Sequence, residues 1–139
     1  MDLEQTLASA PLLAGLDPRI IKRLATQGVR RVYAEGEWIV KQDAPASALY
    51  IILRGRARAV KDGDEDRTPS EMFAGDFFGE LALIEDHPRT ASVKAMEETE
   101  CILFVAWEFT ALLKEHPQMA VPIMNALIKR LHRREHKAS

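Results

Sequence analysis

The sequence predicts a mainly β domain with flanking helices, folded as a sandwich or a jelly-roll barrel. The first observation behind this prediction is a series of short β-rich runs between positions 29 and 105: Val29–Tyr33, Trp38–Val40, Ala48–Leu53, Arg56–Val60, Ser92–Ala95 and Cys101–Val105. The second is the turn chemistry between the runs, with glycine at 36, 55, 63 and 75. Many short strands with regularly spaced turn signals are typical of double-sheet architectures.

Two short helices are predicted before the β region, at residues 2–9 and 17–27. Asp17 is a suitable N-cap acceptor, and Pro18 fits the first helical position because its missing N–H has no helical partner there. Gly28 is a suitable stop for the second helix. The order of elements at this end is therefore helix, helix, strand.

Two more helices are predicted after Val105. Residues 107–115 form the first, and His116-Pro117 interrupts the chain because a residue before proline disfavours helical backbone. The second runs to about residue 134 and carries apolar residues at helical spacing: Ala120, Met124, Leu127 and Leu131, flanked by Val121 and Ile128. Pro122 fits this helix only in its first turn or at a kink.

Length and composition predict one cytoplasmic domain spanning residues 1–139, divided into 1–28, 29–105 and 106–135. The 139 residues are 47% hydrophobic and 29% charged, with a net charge of -2, so no basic field suggests direct nucleic-acid binding. No apolar run reaches the roughly 20 residues that span a bilayer, so we expect no membrane insertion.

The sequence contains one cysteine, Cys101, which excludes an intramolecular disulfide and favours a reducing compartment. Its apolar neighbours predict a buried, unreactive thiol.

One segment departs from strand alternation and carries most of the functional information. It reads Phe77-Phe78-Gly79-Glu80-Leu81-Ala82-Leu83-Ile84, then a three-residue spacer, then Pro88-Arg89-Thr90-Ala91-Ser92-Val93. Residues 78–93 resemble the phosphate-binding cassette of the cyclic nucleotide-binding domain family. The turn in Leu53–Ala57 and the earlier Gly36 are similar to two glycine turns of that family, so the resemblance covers nearly the whole chain.

The resemblance implies a β-roll of the jelly-roll (double-stranded β-helix) type, with N-terminal helices and a C-terminal lid helix. It also implies a regulatory sensor that is not an enzyme, and it names the ligand-binding residues: Phe78, Gly79, Glu80, Leu81, Ala82, Arg89, Thr90 and Ala91. A cyclic phosphodiester needs an anion cradle, which helical N–H groups after Gly79 would supply. Arg89 would be a two-pronged donor to the phosphate, and Glu80 would accept from the ribose 2′-hydroxyl.

Each of these residues also has a plain structural interpretation. Glu80 suits a helix N-terminus, and Arg89 suits a solvated turn after proline. The combination at this spacing favours the pocket. A structural or interaction domain of the same fold, with a degenerate pocket, remains the alternative.

In the family the last helix closes over the purine, and by alignment Arg130 falls where some members place a capping arginine. A guanidinium plane stacks well on a purine, although a solvated Arg130 is the alternative. Leu127, Ile128 and Leu131 would cover the base, pack on the barrel, or pack against a second copy in a homodimer.

We expect the ligand to be cAMP in preference to cGMP, although Thr90 also suits guanine. No cofactor is expected, and the downstream effector is an unidentified protein or domain.

Two further patterns suggest metal sites and are set aside. His132-Arg133-Arg134-Glu135-His136 matches a zinc-protease pattern, but no chain follows to supply a further ligand. Asp62, Asp64 and Asp66 resemble the start of a calcium loop, but the glycine and the twelfth residue are wrong. We therefore expect no metal.

Overall fold

Two four-stranded antiparallel sheets form the centre of the domain in the computed structural model, which describes residues 2–41, 47–60, 70–79 and 91–138. The strands are β1 Val29–Tyr33, β2 Trp38–Val40, β3 Ala48–Arg54, β4 Arg56–Val60, β5 Ser70–Phe73, β6 Phe77–Phe78, β7 Ser92–Ala95 and β8 Thr99–Val105. The first sheet has the order β1-β8-β3-β6 and the second has the order β2-β7-β4-β5. The predicted fold class, mainly β with flanking helices, is confirmed.

The helices lie at the two ends of the sequence, as predicted. They are α1 Leu3–Ser9, α2 Pro18–Gln27, α3 Ala106–Glu115 and α4 Ala120–Ala138, with a 3-10 turn at Pro117–Met119 before α4. Asp2 caps α1 by accepting the Gln5 N–H, and Asp17 caps α2 by accepting the Arg19 N–H. Pro122 is the third residue of α4 and so lies in its first turn. No described helix is both long enough and apolar enough to cross a membrane.

The first sheet is covered on both faces. Successive residues of β3 show this, because Ile51 belongs to a core cluster shared with the helices and Ile52 to a cluster between the two sheets. In β8, Ile102 belongs to the helical cluster and Cys101 to the cluster between the sheets. The order of layers is therefore helices, first sheet, second sheet.

The structure differs from the sequence prediction in four strands, of which β3 differs only by ending at Arg54 instead of Leu53. Strand β8 begins at Thr99, two residues before the predicted start, and β5 was not predicted. Strand β6 was also missed, because Phe77–Phe78 was assigned to a segment without strand alternation. Both phenylalanines are buried, since Phe77 packs among the helices and Phe78 between the sheets. A two-residue strand with both faces buried has no alternating pattern to detect.

Candidate functional site

The structure describes four of the nine predicted site residues: Phe78, Gly79, Ala91 and Arg130. The other five, Glu80, Leu81, Ala82, Arg89 and Thr90, lie outside the described residues. The structure therefore describes the two strands that border residues 80–90, β6 and β7, together with the helix α4 that carries Arg130.

Strand β6 fixes the beginning of this segment. Its two residues pair with β3, with Tyr50 opposite Phe78 and Ile51 opposite Phe77. The Phe78 ring stacks on the Tyr50 ring, with centroids 4.8 Å apart and planes 6° from parallel. Gly79 follows with φ 82°, a left-handed conformation that favours glycine. The chain thus leaves the first sheet at a rigid, aromatic anchor and turns where a side chain would be strained.

Strand β7 fixes the end of the segment in the other sheet. Ala91 is half-buried, Ser92 and Val93 are buried, and β7 pairs with β2 on one side and β4 on the other. Residues 80–90 therefore connect the edge strand of the first sheet to an interior strand of the second. Both ends are held by hydrogen-bonded strands, which suits a segment that must present groups in a defined geometry.

The cluster between the sheets is apolar, with small side chains on the second sheet. Ala57, Ala59 and Ala95 lie on its inner face, opposite larger residues such as Tyr50 and Phe78 on the first sheet. Small residues leave room, and flat aromatic walls suit a flat ligand. Tyr50 was not singled out from the sequence, because its importance comes from its cross-strand neighbour Phe78.

Two ionisable groups among the buried residues of this cluster, Cys101 and Tyr33, are kept neutral by burial. Burial, followed by the charge on Glu100, raises the pKa of the Cys101 thiol to about 12. Burial, followed by interaction with Tyr50, raises the pKa of the Tyr33 phenol to about 12. At neutral pH neither group offers an anionic nucleophile or a general base. The prediction that Cys101 is a buried structural thiol is confirmed.

Arg130 lies against the strand that leads into Gly79. Its Cζ atom is 3.6 Å from the centroid of the Phe77 ring, and its Nη2 donates a hydrogen bond to the Phe77 carbonyl oxygen. Helix α4 is thereby joined to β6, two residues before Gly79. The sequence placed Arg130 near the site but did not identify Phe77, which lies 53 positions away. No local pattern could have linked the two.

The remaining residues of α4 have different environments. Leu127 is partly buried against the helical cluster, which agrees with the interpretation that it packs on the barrel. Val121, Met124 and Ile128 are 60%, 56% and 47% exposed and share one helical face. The side chain of Leu131 is not among those described.

Most side chains of the two metal-site patterns lie outside the part of the chain that the structure describes. Residues 62, 64 and 66 lie outside it, and of the 132–136 pattern only the exposed His132 side chain is described. Within the described ranges, no three His, Cys, Asp or Glu side chains come together as metal ligands.

Comparison with known proteins gives a consistent result. Residues 30–116 match the model of the cyclic nucleotide-binding domain. A cyclic AMP receptor protein of Thermus thermophilus is 30% identical over 127 residues, which cover 90% of this chain and 59% of the relative. A cAMP-dependent protein kinase regulatory subunit of Emericella nidulans is 38% identical over 97 residues, or 70% of this chain and 23% of the relative.

A solved structure described as cAMP-bound PfPKA-R superposes with a TM-score of 0.78 at 27% identity, covering 96% of this chain and 44% of that one. The chain thus spans less than two thirds of each of these relatives.

Proposed function

The chain belongs to the cyclic nucleotide-binding domain family, and on that basis we propose that it is a sensor that binds a cyclic purine nucleotide reversibly. The observation that carries the proposal is the content of the segment between β6 and β7. That segment opens with Gly79 at positive φ and contains Glu80 and Arg89 at the spacing of the family's cassette. Its ends border an apolar interior with a stacked aromatic pair.

We assign the charge of the cyclic phosphate to Arg89. A guanidinium donates two parallel hydrogen bonds to phosphate oxygens and stays charged at any working pH. Backbone N–H groups near Ala82 and Ala91 complete the cradle, because the small side chains of these two residues let the anion approach the main chain. The left-handed backbone of Gly79 supports this role, since a residue with a Cβ would be strained there.

Glu80 and Thr90 are assigned to the rest of the nucleotide. The Glu80 carboxylate accepts a hydrogen bond from the ribose 2′-hydroxyl, which a deoxyribose lacks. The Thr90 hydroxyl donates to the phosphate, or to guanine when the base is syn. Phe78 contributes as the stacked anchor from which the cassette begins.

We propose cAMP as the preferred ligand, with cGMP as the competitor. The support is the printed description of three similar proteins: a cyclic AMP receptor protein, a cAMP-dependent kinase regulatory subunit and a cAMP-bound structure. Thr90 favours cGMP, and for this reason the two nucleotides must be compared directly.

We propose that the signal leaves through α4 and that the domain binds its ligand without chemical turnover. Support for the first part is the contact of Arg130 with Phe77, which ties α4 to the strand feeding the cassette. A nucleotide that binds one arrangement of cassette and helix better than another shifts the population towards it.

The proposal that the domain binds its ligand without chemical turnover is supported by Cys101 and Tyr33, whose side chains stay neutral between the two sheets and so offer no anionic nucleophile. The single, deeply buried cysteine supports a reducing, cytoplasmic compartment.

The exposed apolar side chains on one face of α4 support the proposal that the domain binds a partner protein. Val121, Met124 and Ile128 are spaced by three and then four residues, the pattern of a helix–helix seam. We propose a homodimer through this face, with an effector protein as the competing occupant.

Calorimetry with cAMP, cGMP and linear 5′-AMP tests the proposed ligand. We expect saturable binding of the cyclic nucleotides and weaker binding of 5′-AMP. Arg89→Ala is expected to lower affinity at least about tenfold, because hydrogen bonds to charged groups contribute about 1.5–3 kcal/mol. Arg19→Ala is the matched control, since its side chain is 90% exposed and pairs with Asp17 in α2.

Absence of both binding heat and thermal shift at millimolar cAMP and cGMP would show that the pocket is degenerate. An unchanged affinity in Arg89→Ala would remove that residue from the site. Chromatography after long incubation should recover intact nucleotide, and hydrolysed product would contradict the non-enzymatic assignment.

A further inference from the structure

We propose that the outer face of the second sheet binds an extended, acidic segment of a partner protein. This face is the side of β2, β7, β4 and β5 that points away from the first sheet, and we call it the basic sheet face. It is formed by six side chains: Trp38, Arg56, Arg58, Glu71, Phe73 and Lys94. The proposal goes beyond nucleotide binding and does not rest on it, because these side chains point away from the interior between the sheets.

Strand alternation places the six side chains on one side of the sheet. Successive side chains of a strand point to opposite faces. The residues next to the six along their strands belong to the cluster between the sheets: Ile39, Ala57, Met72, Val93 and Ala95. The six therefore point outwards.

The strand register brings four of these side chains into one row across the sheet. Trp38 of β2 is opposite Lys94 of β7. Lys94 is opposite Arg58 of β4, and Arg58 is opposite Glu71 of β5. Directly opposite side chains on one face of a sheet are close enough to act together on a ligand.

The two arginines of this face are incompletely neutralised. Arg56 Nη1 and Arg58 Nη2 donate to the same oxygen of Glu71, at 3.2 and 2.9 Å, so one carboxylate serves two guanidiniums. Glu97 lies 3.5 Å from Arg56 Nε as a second carboxylate. Arg58 Nε is buried without a hydrogen-bond partner in the described structure, so Glu71 does not satisfy all of its donors.

Two lysines and two exposed aromatic rings extend this surface. The ammonium groups of Lys94 and Lys41 lie 5.3 and 5.6 Å from the centroid of the Trp38 ring. Trp38 is 40% exposed on one outer strand of the sheet, and Phe73 is 51% exposed on the other. Aromatic and arginine side chains are enriched at protein interfaces, where the rings also cover the methylene groups of charged partners.

The spacing of the arginines indicates the shape of the ligand. Arg56 and Arg58 are two residues apart on β4, so their Cα atoms lie about 6.6–6.8 Å apart. In an extended peptide, side chains at alternate positions have the same spacing and point the same way. Carboxylates at alternate positions therefore match the two guanidiniums, and Glu71 shows that these groups accept a carboxylate.

The charge balance favours a peptide over a membrane or a nucleic acid. The contacts described for this face involve four cations and two carboxylates, an excess of two positive charges. The whole chain has a net charge of -2. Membranes and nucleic acids bind through the summed field of many uncompensated cations, whereas a short acidic segment needs only a few well-placed ones.

Fluorescence anisotropy of a labelled peptide, measured with the 139-residue chain, tests the proposal. The probe is an eight-residue peptide of alternating glutamate and threonine, and the control peptide has glutamine in place of each glutamate. The test variants are Glu71→Gln and the double variant Arg56→Gln with Arg58→Gln. The matched control, Arg19→Gln with Arg23→Gln, removes the same charge from exposed side chains of α2.

We expect saturable binding of the glutamate peptide that weakens with added salt, and no binding of the glutamine peptide. The double variant at Arg56 and Arg58 should weaken binding at least about fivefold, because two ion pairs are lost together, and the α2 control less than about twofold. Glu71→Gln should tighten binding at least about twofold, because it frees both guanidiniums for the peptide. Loss of a purely structural contact would not tighten binding.

The emission of Trp38 gives an independent readout of where the peptide binds. Trp107→Phe leaves Trp38 as the only tryptophan, and its emission should change as the glutamate peptide saturates the protein. Peptide binding without any change in this emission would place the site elsewhere and contradict the proposal.

Four results of the anisotropy assay would overturn the proposal: no saturable binding at millimolar peptide, equal binding of the two peptides, unchanged or weaker binding in Glu71→Gln, or equal losses in the two double variants. Tighter binding of a single-stranded oligonucleotide or of phosphatidylserine vesicles than of the peptide would also overturn it. Thermal unfolding checks that each variant folds, and Arg58→Gln with Arg19→Gln as its control replaces the double variants if they unfold. The assay contains no nucleotide, so its failure leaves the proposed function standing.

Discussion

Replacement of Gly55 by alanine is expected to destabilise the domain far more than the same replacement at Gly36. Both glycines have a left-handed backbone, with φ +101° at Gly55 and +85° at Gly36. They differ in their surroundings. A Cβ atom at position 55 would lie 2.6 Å from the Glu98 carbonyl oxygen and 2.6 Å from Thr99 Oγ1, whereas one at position 36 would have no atom within 4 Å.

The magnitudes follow from these contacts. The left-handed conformation costs an alanine about 1–2 kcal/mol at either position. At Gly55 the neighbouring backbone must also move, which costs about 1–3 kcal/mol as in overpacked cores. The Thr99 hydroxyl accepts from the Arg56 N–H at 3.2 Å, and this bond would be disturbed as well. We therefore expect a loss of about 1–2 kcal/mol for Gly36→Ala and about 3–6 kcal/mol for Gly55→Ala.

Urea unfolding followed by circular dichroism measures both free energies of unfolding. Gly28→Ala is an informative third variant, because its φ is -67° and its added Cβ would lie 2.3 Å from Ile102 Cδ1. That variant isolates the steric cost, expected at about 1–3 kcal/mol. Equal losses in Gly55→Ala and Gly36→Ala would refute the reasoning, since backbone strain alone would then account for both.

Three further outcomes are expected. Cys101 should resist iodoacetamide at pH 8 in the native protein and react on unfolding, because burial raises its pKa to about 12; rapid native labelling, read by mass spectrometry, would contradict its burial. Since burial raises the pKa of Tyr33 to about 12, its phenol loses its proton first in the unfolded chain, so stability should fall between about pH 10 and pH 12. Tyr33→Phe should reduce that fall in urea titrations, and an identical pH dependence would exclude Tyr33 as its cause. Met124→Glu, on the exposed face of α4, should shift the sedimentation coefficient from dimer to monomer, whereas a dimer that persists would place the interface elsewhere.

The parts of the fold that were predictable have local causes. Strands β1, β2, β4 and β7 have the predicted bounds, and the glycine turns at Gly36 and Gly55 border the first three. Helix α2 begins after Asp17 for equally local reasons, a capping acceptor and a proline at the first helical position. The cassette, too, was recognisable from contiguous sequence, because its residues follow one another between positions 78 and 93.

The features that were missed depend on distant neighbours. Gly28 ends α2 without adopting a left-handed φ, and the approach of Ile102 of β8 explains why a side chain would not fit. The contact between Arg130 and Phe77 joins the last helix to a strand too short to be detected. Such pairings arise only when the sheets and helices come together, so no window of sequence contains them.

The burial of Cys101 has a practical consequence for measuring how α4 moves. Because the sequence contains no other cysteine and this one is inaccessible, the surface of the native protein offers no competing thiol. A cysteine introduced at the exposed Lys129 would take up a spin label or fluorophore selectively, with Cys101 left in place. A second introduced cysteine in the exposed part of α2 would give a pair of probes, and the distance between them could be followed as nucleotide is added.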